Sequence, residues 1–162
     1  APHETTSEHV EHIITSFRQV DLFAVTLSQF EKESVTNARV LVIDRIGLLA
    51  NLYALGAIAY VGGGFGDGVH NVLEPAAHGC VIAFGPRHLN SPEAKIMVTQ
   101  QVGTPVSGSQ EFFAFLREAL KGASHLALRV QQTRQFVQEN MHASQRTADV
   151  IEQYISKKKK GV

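Results

Sequence analysis

Residues Tyr60 to Pro86, YVGGGFGDGVHNVLEPAAHGCVIAFGP, link two short apolar runs through a glycine loop and a short helical segment. Ala57 to Val61 and Val81 to Phe84 read as strands because each is brief, apolar and bounded by glycine. Upstream, the continuous Val40-Leu41-Val42-Ile43 run within Arg39 to Asp44 reads as a strand buried on both faces, and Gly47 to Leu55 reads as helical. The order is therefore strand, helix, strand, helix, strand. Such alternation implies an α/β chain with a parallel sheet and helices on both of its faces. Ligands of such sheets gather outside the carboxyl ends of the strands. Asp44 to Gly47, Gly62 to Asn71 and Gly85 to Asn90 occupy that edge.

The loop itself points to a ligand. Five glycines between Gly62 and Gly68 leave backbone amides uncovered and allow positive φ, which suits close approach to a phosphate or a sugar. His70 and Asn71 then lead into a helix whose first N–H groups favour negative charge. Glu74 follows one turn in; a carboxylate accepts hydrogen bonds and repels anions, so it suits hydroxyls better than phosphate. No register gives the G-x-G-x-x-G dinucleotide fingerprint, since the third glycine position falls on Asp67, Val69 or Asn71, and no Gly-Lys-Ser or Gly-Lys-Thr completes a P-loop. Without such a fingerprint, a structural turn is the competing reading of the glycines.

Composition bounds the answer. With 162 residues and 44% hydrophobic content the chain supports one sizeable core. Residues 1–156 are expected to form one domain, with a lysine-rich tail over 157–162. Fifteen basic and fifteen acidic residues cancel, which leaves no broad footprint for nucleic acid. The Lys157–Lys160 run is a local exception, open to reading as a solvated tail, an anionic-lipid contact or an expression remnant. The single cysteine, Cys80, sits in an apolar strand and fits a buried thiol in a reducing compartment. No apolar run approaches the ~20 residues that span a bilayer, and the first residues do not resemble a signal peptide, so a soluble cytosolic chain is expected, with any membrane contact peripheral or supplied by further sequence.

Thr5 and Glu8 have capping-box spacing ahead of a helix over Ser7 to Arg18, and Leu22 to Leu27 reads as a short strand followed by a polar stretch, Ser28 to Asn37. Ser91-Pro92-Glu93 starts a helix reaching about Gln101, Thr104 to Ser107 reads as a last strand, and Phe112 to Leu120 mark an amphipathic helix ending near Gly122. From Ser124 the chain reads as helical to Ile155, with a break near His142 to Ser144.

Other chemistry finds less support. His9 and His12 share a helical face near His3, but no further ligand completes a zinc site, and no metal is expected. No Gly-x-Ser-x-Gly elbow is present for a hydrolase. Arg87 and His88 are open to two readings, an anion clasp or exposed loop residues.

Several segments together resemble one family: Ile43 to Leu49 (IDRIGLL), Leu52-Tyr53, Ala59 to Gly66 (AYVGGGFG), Gly68 to Pro75 (GVHNVLEP) and Phe84-Gly-Pro. They resemble the C-terminal half of bacterial 3-deoxy-D-manno-octulosonic acid (Kdo) transferases, and the likeness extends over nearly the whole chain, with Ala1-Pro-His-Glu similar to a loop of that half. The family implies a Rossmann-like domain of a GT-B glycosyltransferase that moves Kdo from CMP-Kdo to a lipid A precursor at the cytoplasmic face of the inner membrane. The resemblance further implies that CMP lies across Pro2 and His3, across Ile46, Gly47 and Leu48, and across Asn71, Val72, Leu73 and Glu74, with Gly63, Gly64 and Phe65 of the glycine loop beside it. Asn71 would then face the phosphate and Glu74 the ribose. Two positions depart from many members: Pro2 where they carry arginine, and Cys80-Val81-Ile82 where they carry Val-Pro-Val.

No cofactor is implied beyond the donor itself. The family's acceptor half, with its glutamate general base and membrane contact, would precede Ala1. The chain is thus expected to lack catalytic residues of its own, to be inactive alone, and to begin after the first two strands of its domain, with self-association or strand exchange compensating for the open sheet. The competing readings are an epimerase-like domain that prefers UDP-sugars and a non-catalytic interaction module.

Overall fold

The structure, a computed structural model, describes residues 1–2, 5–140, 151 and 155. The readings that concern His3, the break at residues 142–144 and the lysine tail lie outside the described residues. Two compact units divide the chain, Ala1–Leu52 and Tyr53–Val162. Each carries its own parallel sheet.

The first unit contains α1 (Ser7–Arg18), β1 (Ala24–Thr26), α2 (Leu27–Lys32), β2 (Val40–Val42) and α3 (Leu49–Leu52). Helix α1 has the expected bounds, but its cap is Thr6 rather than Thr5: the Thr6 hydroxyl accepts from the His9 amide. Strand β1 pairs with β2 in parallel, Ala24 opposite Val40. The expected strand to Leu27 stops one residue short, because Thr26 and Gln29 cap each other reciprocally and start α2 within the stretch read as polar loop. Strand β2 is not buried on both faces. Val42 and Ile43 are in the core, but Leu41 is 40% exposed. The expected helix after it is also shorter, four residues of α3 and then a 3-10 turn over Tyr53–Leu55 that opens the second unit.

The second unit continues with β3 (Ile58–Val61), α4 (Leu73–Ala77), β4 (Val81–Phe84), α5 (Pro92–Thr99), β5 (Gly103–Pro105), α6 (Ser109–Ala119) and α7 (Ala123–Asn140). Its sheet order is β3-β4-β5, all parallel, with Val61 opposite Phe84 and Phe84 opposite Pro105. Every residue of β4 is buried, as a central strand requires. Alternation divides its side chains between two cores. Ile82 and Phe84 pack with Ala76, Ala94, Met97, Phe136 and Val137 on one face, while Val81 and Ala83 pack with Val106, Phe115 and Ala119 on the other. Each large side chain so buried contributes about 1.5–3 kcal/mol. Helices therefore cover both faces of this sheet. Edge strand β3 is only half-buried: Ala59 and Val61 point into the first core, and Tyr60, 43% exposed, makes an edge-on contact with Phe112.

Capping chemistry explains the helix starts. The Ser91 hydroxyl accepts from the Ala94 amide and Pro92 takes the first position of α5, as its sequence indicates. Helix α7 buries Thr133, whose hydroxyl donates to the Arg129 carbonyl within the helix. No described helix is long and apolar enough to cross a membrane.

Candidate functional site

The carboxyl edge of the second unit's sheet is built from the segments that follow β3 and β4. Because Val61 lies opposite Phe84, the glycine loop and the Gly85-Pro86-Arg87 segment leave the sheet side by side. The Arg87 amide donates to the Gly64 carbonyl at 2.9 Å, the Val69 amide to the Arg87 carbonyl at 2.9 Å, and the Asn90 side chain to the Val69 carbonyl at 3.1 Å. The Arg87 guanidinium donates from Nη1 to the Gly66 carbonyl at 2.8 Å.

Much of the glycine content serves this fold. Gly63 adopts φ +87°, and a Cβ there would run into the Gly68 carbonyl. Gly64 is buried with its backbone against that of Gly85. The amides are also less uncovered than the glycine count suggests. Those of Gly66 and Gly68 donate to the Gly63 carbonyl, and that of His70 donates to the Gly62 carbonyl. Phe65, 57% exposed, marks the tip.

Helix α4 begins later than expected, at Leu73 rather than Asn71. The reason is local: the Asn71 carbonyl oxygen Oδ1 accepts from the Leu73 amide at 2.9 Å, a side-chain turn that competes with helical backbone. The other end of the same side chain, Nδ2, donates to Glu74 Oε1 at 2.9 Å. Asn71 thereby satisfies the first helical amide, from the position before the Val72 N-cap, and holds the carboxylate. Glu74 is exposed on the second residue of α4, while Val72, only 1% exposed, belongs to the core beneath it and offers a ligand almost no surface. With five residues α4 has little macrodipole, so any help to an anion comes from individual peptide N–H groups. Burial, then the charge of Glu74 and then Cys80, hold the Tyr53 phenol above its ordinary range. Cys80 is fully buried, as expected, and burial pushes its thiol up; its Sγ lies 3.5 Å from the Tyr53 carbonyl and 3.4 Å from that of Gly56.

The two residues open to an anion-clasp or an exposed-loop reading behave differently. His88 is half-buried with its ring 5.3 Å from that of Phe84, so it packs rather than projects. Arg87 is exposed and lies over the glycine loop. Nothing in the sequence alone marked the contact of Gly85 with Gly64 or of Arg87 with Gly66; parallel-strand register is what brings these segments together.

The other predicted residues belong to the first unit. Pro2 is half-buried, Ile46 is 88% exposed, Gly47 sits at φ +89° with open space about it, and Leu48 is half-buried. The Leu48 carbonyl accepts from the Asn51 and Leu52 amides and so starts α3. Arg45 pairs with Glu31, and Asp44 accepts from the Ser28 amide at 3.2 Å. Burial acts to raise the Asp44 carboxyl, but hydrogen bonds, led by the Ser28 hydroxyl and amide, outweigh it and hold the group below its ordinary range. A cavity of about 540 Å³ in this unit is lined by α1, β1 and α2 and by Asp44, and it does not reach Ile46, Gly47 or Leu48. Gly63 to Phe65 and Asn71 to Glu74 are thus brought together in the second unit, and Ile46 to Leu48 stand in the first. Among the described residues, no group of three or more histidine, cysteine or acidic side chains could hold a metal ion.

No family model matches the chain. It is 32% identical over 102 residues to a 3-deoxy-D-manno-octulosonic acid transferase from Chlamydia muridarum, covering 60% of this chain and 24% of that protein. It is 25% identical over 151 residues to the transferase of the same name from Rickettsia felis, covering 91% of this chain and 32% of that protein. The chain thus spans a third or less of the length of these relatives. The C-terminal CMP-Kdo binding domain of WaaA from Acinetobacter baumannii matches its fold with a TM-score of 0.73 at 20% identity, over 85% of this chain and 72% of that one. The chain is similar in sequence to the bacterial Kdo transferases, and its fold is that of the C-terminal nucleotide-binding half of such an enzyme.

Proposed function

We propose that this chain is the donor-binding part of a GT-B glycosyltransferase that moves Kdo from CMP-Kdo to a lipid A precursor in lipopolysaccharide synthesis. The observation that carries the reading is the Asn71–Glu74 pair, a carboxylate fixed by a neighbouring amide directly after a glycine loop at a strand's carboxyl edge. A carboxylate held in this way accepts two hydroxyls of a ribose, and a fixed acceptor loses less entropy on binding than a free one. Phe65 and the backbone of the loop would flank the rest of the nucleotide.

In transfer, an acceptor hydroxyl attacks the anomeric carbon of Kdo, the bond from that carbon to the phosphate oxygen breaks, and CMP departs with the bonding electrons. The hydroxyl proton goes to a base in the acceptor-binding half. This chain's part is to orient the donor and to meet the charge that grows on the departing phosphate. Work at the cytoplasmic face of the inner membrane belongs to the same proposal.

Calorimetric titration tests it. CMP should bind more tightly than UDP, and Glu74→Ala should weaken CMP about tenfold, the effect of losing a hydrogen bond to a charged group. Tighter binding of UDP would favour an epimerase-like domain, and unchanged affinities in Glu74→Ala would favour a module in which the glycines only turn the chain.

A further inference from the structure

We infer that Arg87 is a specificity-determining residue of this site and binds the carboxylate of the donor's sugar acid. The inference rests on the CMP-Kdo reading and adds a residue to it. CMP-Kdo carries two anionic groups, the phosphodiester and the ulosonic carboxylate. The edge that would receive them is poor in cations: between Val61 and Ala94, Arg87 is the sole arginine or lysine, while Asp67, Glu74 and Glu93 contribute negative charge. A nucleotide sugar with a second anion placed there needs a positive partner, and a guanidinium suits a carboxylate because its N–H groups form a planar fork.

Geometry supplies the placement. Arg87 leaves the end of β4 beside the glycine loop, and its backbone is fixed on both sides, to Gly64 through its amide and to Val69 through its carbonyl. Nη1 rests on the Gly66 carbonyl at 2.8 Å, which holds the exposed guanidinium over the loop and leaves the rest of its fork for a ligand. The Gly66 carbonyl is a neutral acceptor, so a carboxylate arriving beside it forms the stronger bond.

The test separates charge from loop bracing. Arg87→Gln removes the charge and, being shorter, also the reach to the Gly66 carbonyl, so thermal unfolding reports the lost brace, and Arg87→Lys keeps the charge and removes the fork. CMP and CMP-Kdo are titrated into the whole chain and both variants, with thermal unfolding measured alongside. The expected result is a loss of about tenfold or more in CMP-Kdo affinity for Arg87→Gln. Arg87→Lys should lie between it and the parent, while CMP stays within about twofold for all three. Equal losses for CMP and CMP-Kdo would assign Arg87 to the phosphate or to the loop's shape and overturn the inference. Unchanged affinities for both would overturn it as well. If the parent chain binds neither CMP nor CMP-Kdo, the nucleotide reading itself fails, an outcome distinct from the other two.

Discussion

Gly64 and Gly85 touch backbone to backbone: a Cβ on Gly64 would lie 2.7 Å from the Gly85 Cα and amide nitrogen, and one on Gly85 would lie 2.5 Å from the Gly64 carbonyl carbon. Neither neighbour is a flexible side-chain end, so the clash cannot be relieved by a rotamer change. The contact fixes how closely the glycine loop lies against the end of β4, and with it the bonds from Arg87 to Gly64 and Gly66.

Gly85→Ala should therefore push the loop away from β4. Overpacking at a buried contact costs about 1–3 kcal/mol, which urea unfolding would register as a lower midpoint. Nucleotide affinity should fall together with stability. Gly66→Ala, where the nearest atom to a Cβ is the Gly63 carbonyl oxygen at 3.6 Å, is the control that should leave stability within about 0.5 kcal/mol.

Asn71→Ala removes both ends of one bridge, the cap on the Leu73 amide and the hold on Glu74. A single net hydrogen bond of this kind is worth about 0.5–1.5 kcal/mol. Asn71→Asp should keep the cap, since its carboxylate accepts from the Leu73 amide, yet set a like charge against Glu74. Its stability should exceed that of Asn71→Ala while its CMP affinity falls at least as far. Equal CMP affinity in Asn71→Asp and the parent would show that the hold on Glu74 is irrelevant to the ligand.

Cys80 offers an alkaline signature. Burial raises its thiol above the ordinary value of 9.0, so the native state keeps a proton that the unfolded chain releases. The resulting stabilisation is complete below the unfolded thiol's pKa and is lost as pH rises through the folded one. Between pH 7 and pH 10 the parent should lose more stability than Cys80→Ser, whose hydroxyl does not titrate, and Tyr53, raised likewise, should add a loss of the same sign at still higher pH. Thiol-reactive probes should label native Cys80 only as fast as the second unit opens. Rapid labelling at neutral pH in the folded protein would contradict that burial.

What the sequence discloses depends on how local the cause is. Helix α1, strand β4 and the start of α5 are legible because a periodic face, an unbroken apolar run and the Ser91-Pro92-Glu93 cap each carry their own instruction. Helix α2 is missed although its Thr26/Gln29 box is equally local, because the apolar Leu22 to Leu27 run suggests one continuous strand across the cap. The exposure of Leu41 and Tyr60 cannot be read from an apolar run, since it follows from where a strand lies in its sheet. At the candidate site, Asn71 and Glu74 are visible as residue types, but their bond to each other is not. The contacts of Gly64 and Gly66 with residues 85 and 87 depend on strand register, which no short window of sequence contains.

Asp44 gives the first unit a signature at the opposite end of the pH scale. Its carboxylate accepts from the Ser28 amide near the start of α2, and these hydrogen bonds hold its pKa below the ordinary 3.8 despite the opposing effect of burial. A depressed folded pKa means that the stabilisation is present above the unfolded value and fades as pH falls through the folded one. Unfolding of the parent should therefore become easier in that acid window, and Asp44→Asn should flatten this part of the profile while lowering stability at pH 7, where a neutral amide replaces a charge-assisted acceptor. Circular dichroism of urea unfolding at pH 7 and pH 3 measures both effects. An Asp44→Asn protein with the parent's acid slope would place the sensitivity on other carboxylates, and one with the parent's stability at pH 7 would mean that the tie between β2 and α2 contributes nothing to the fold.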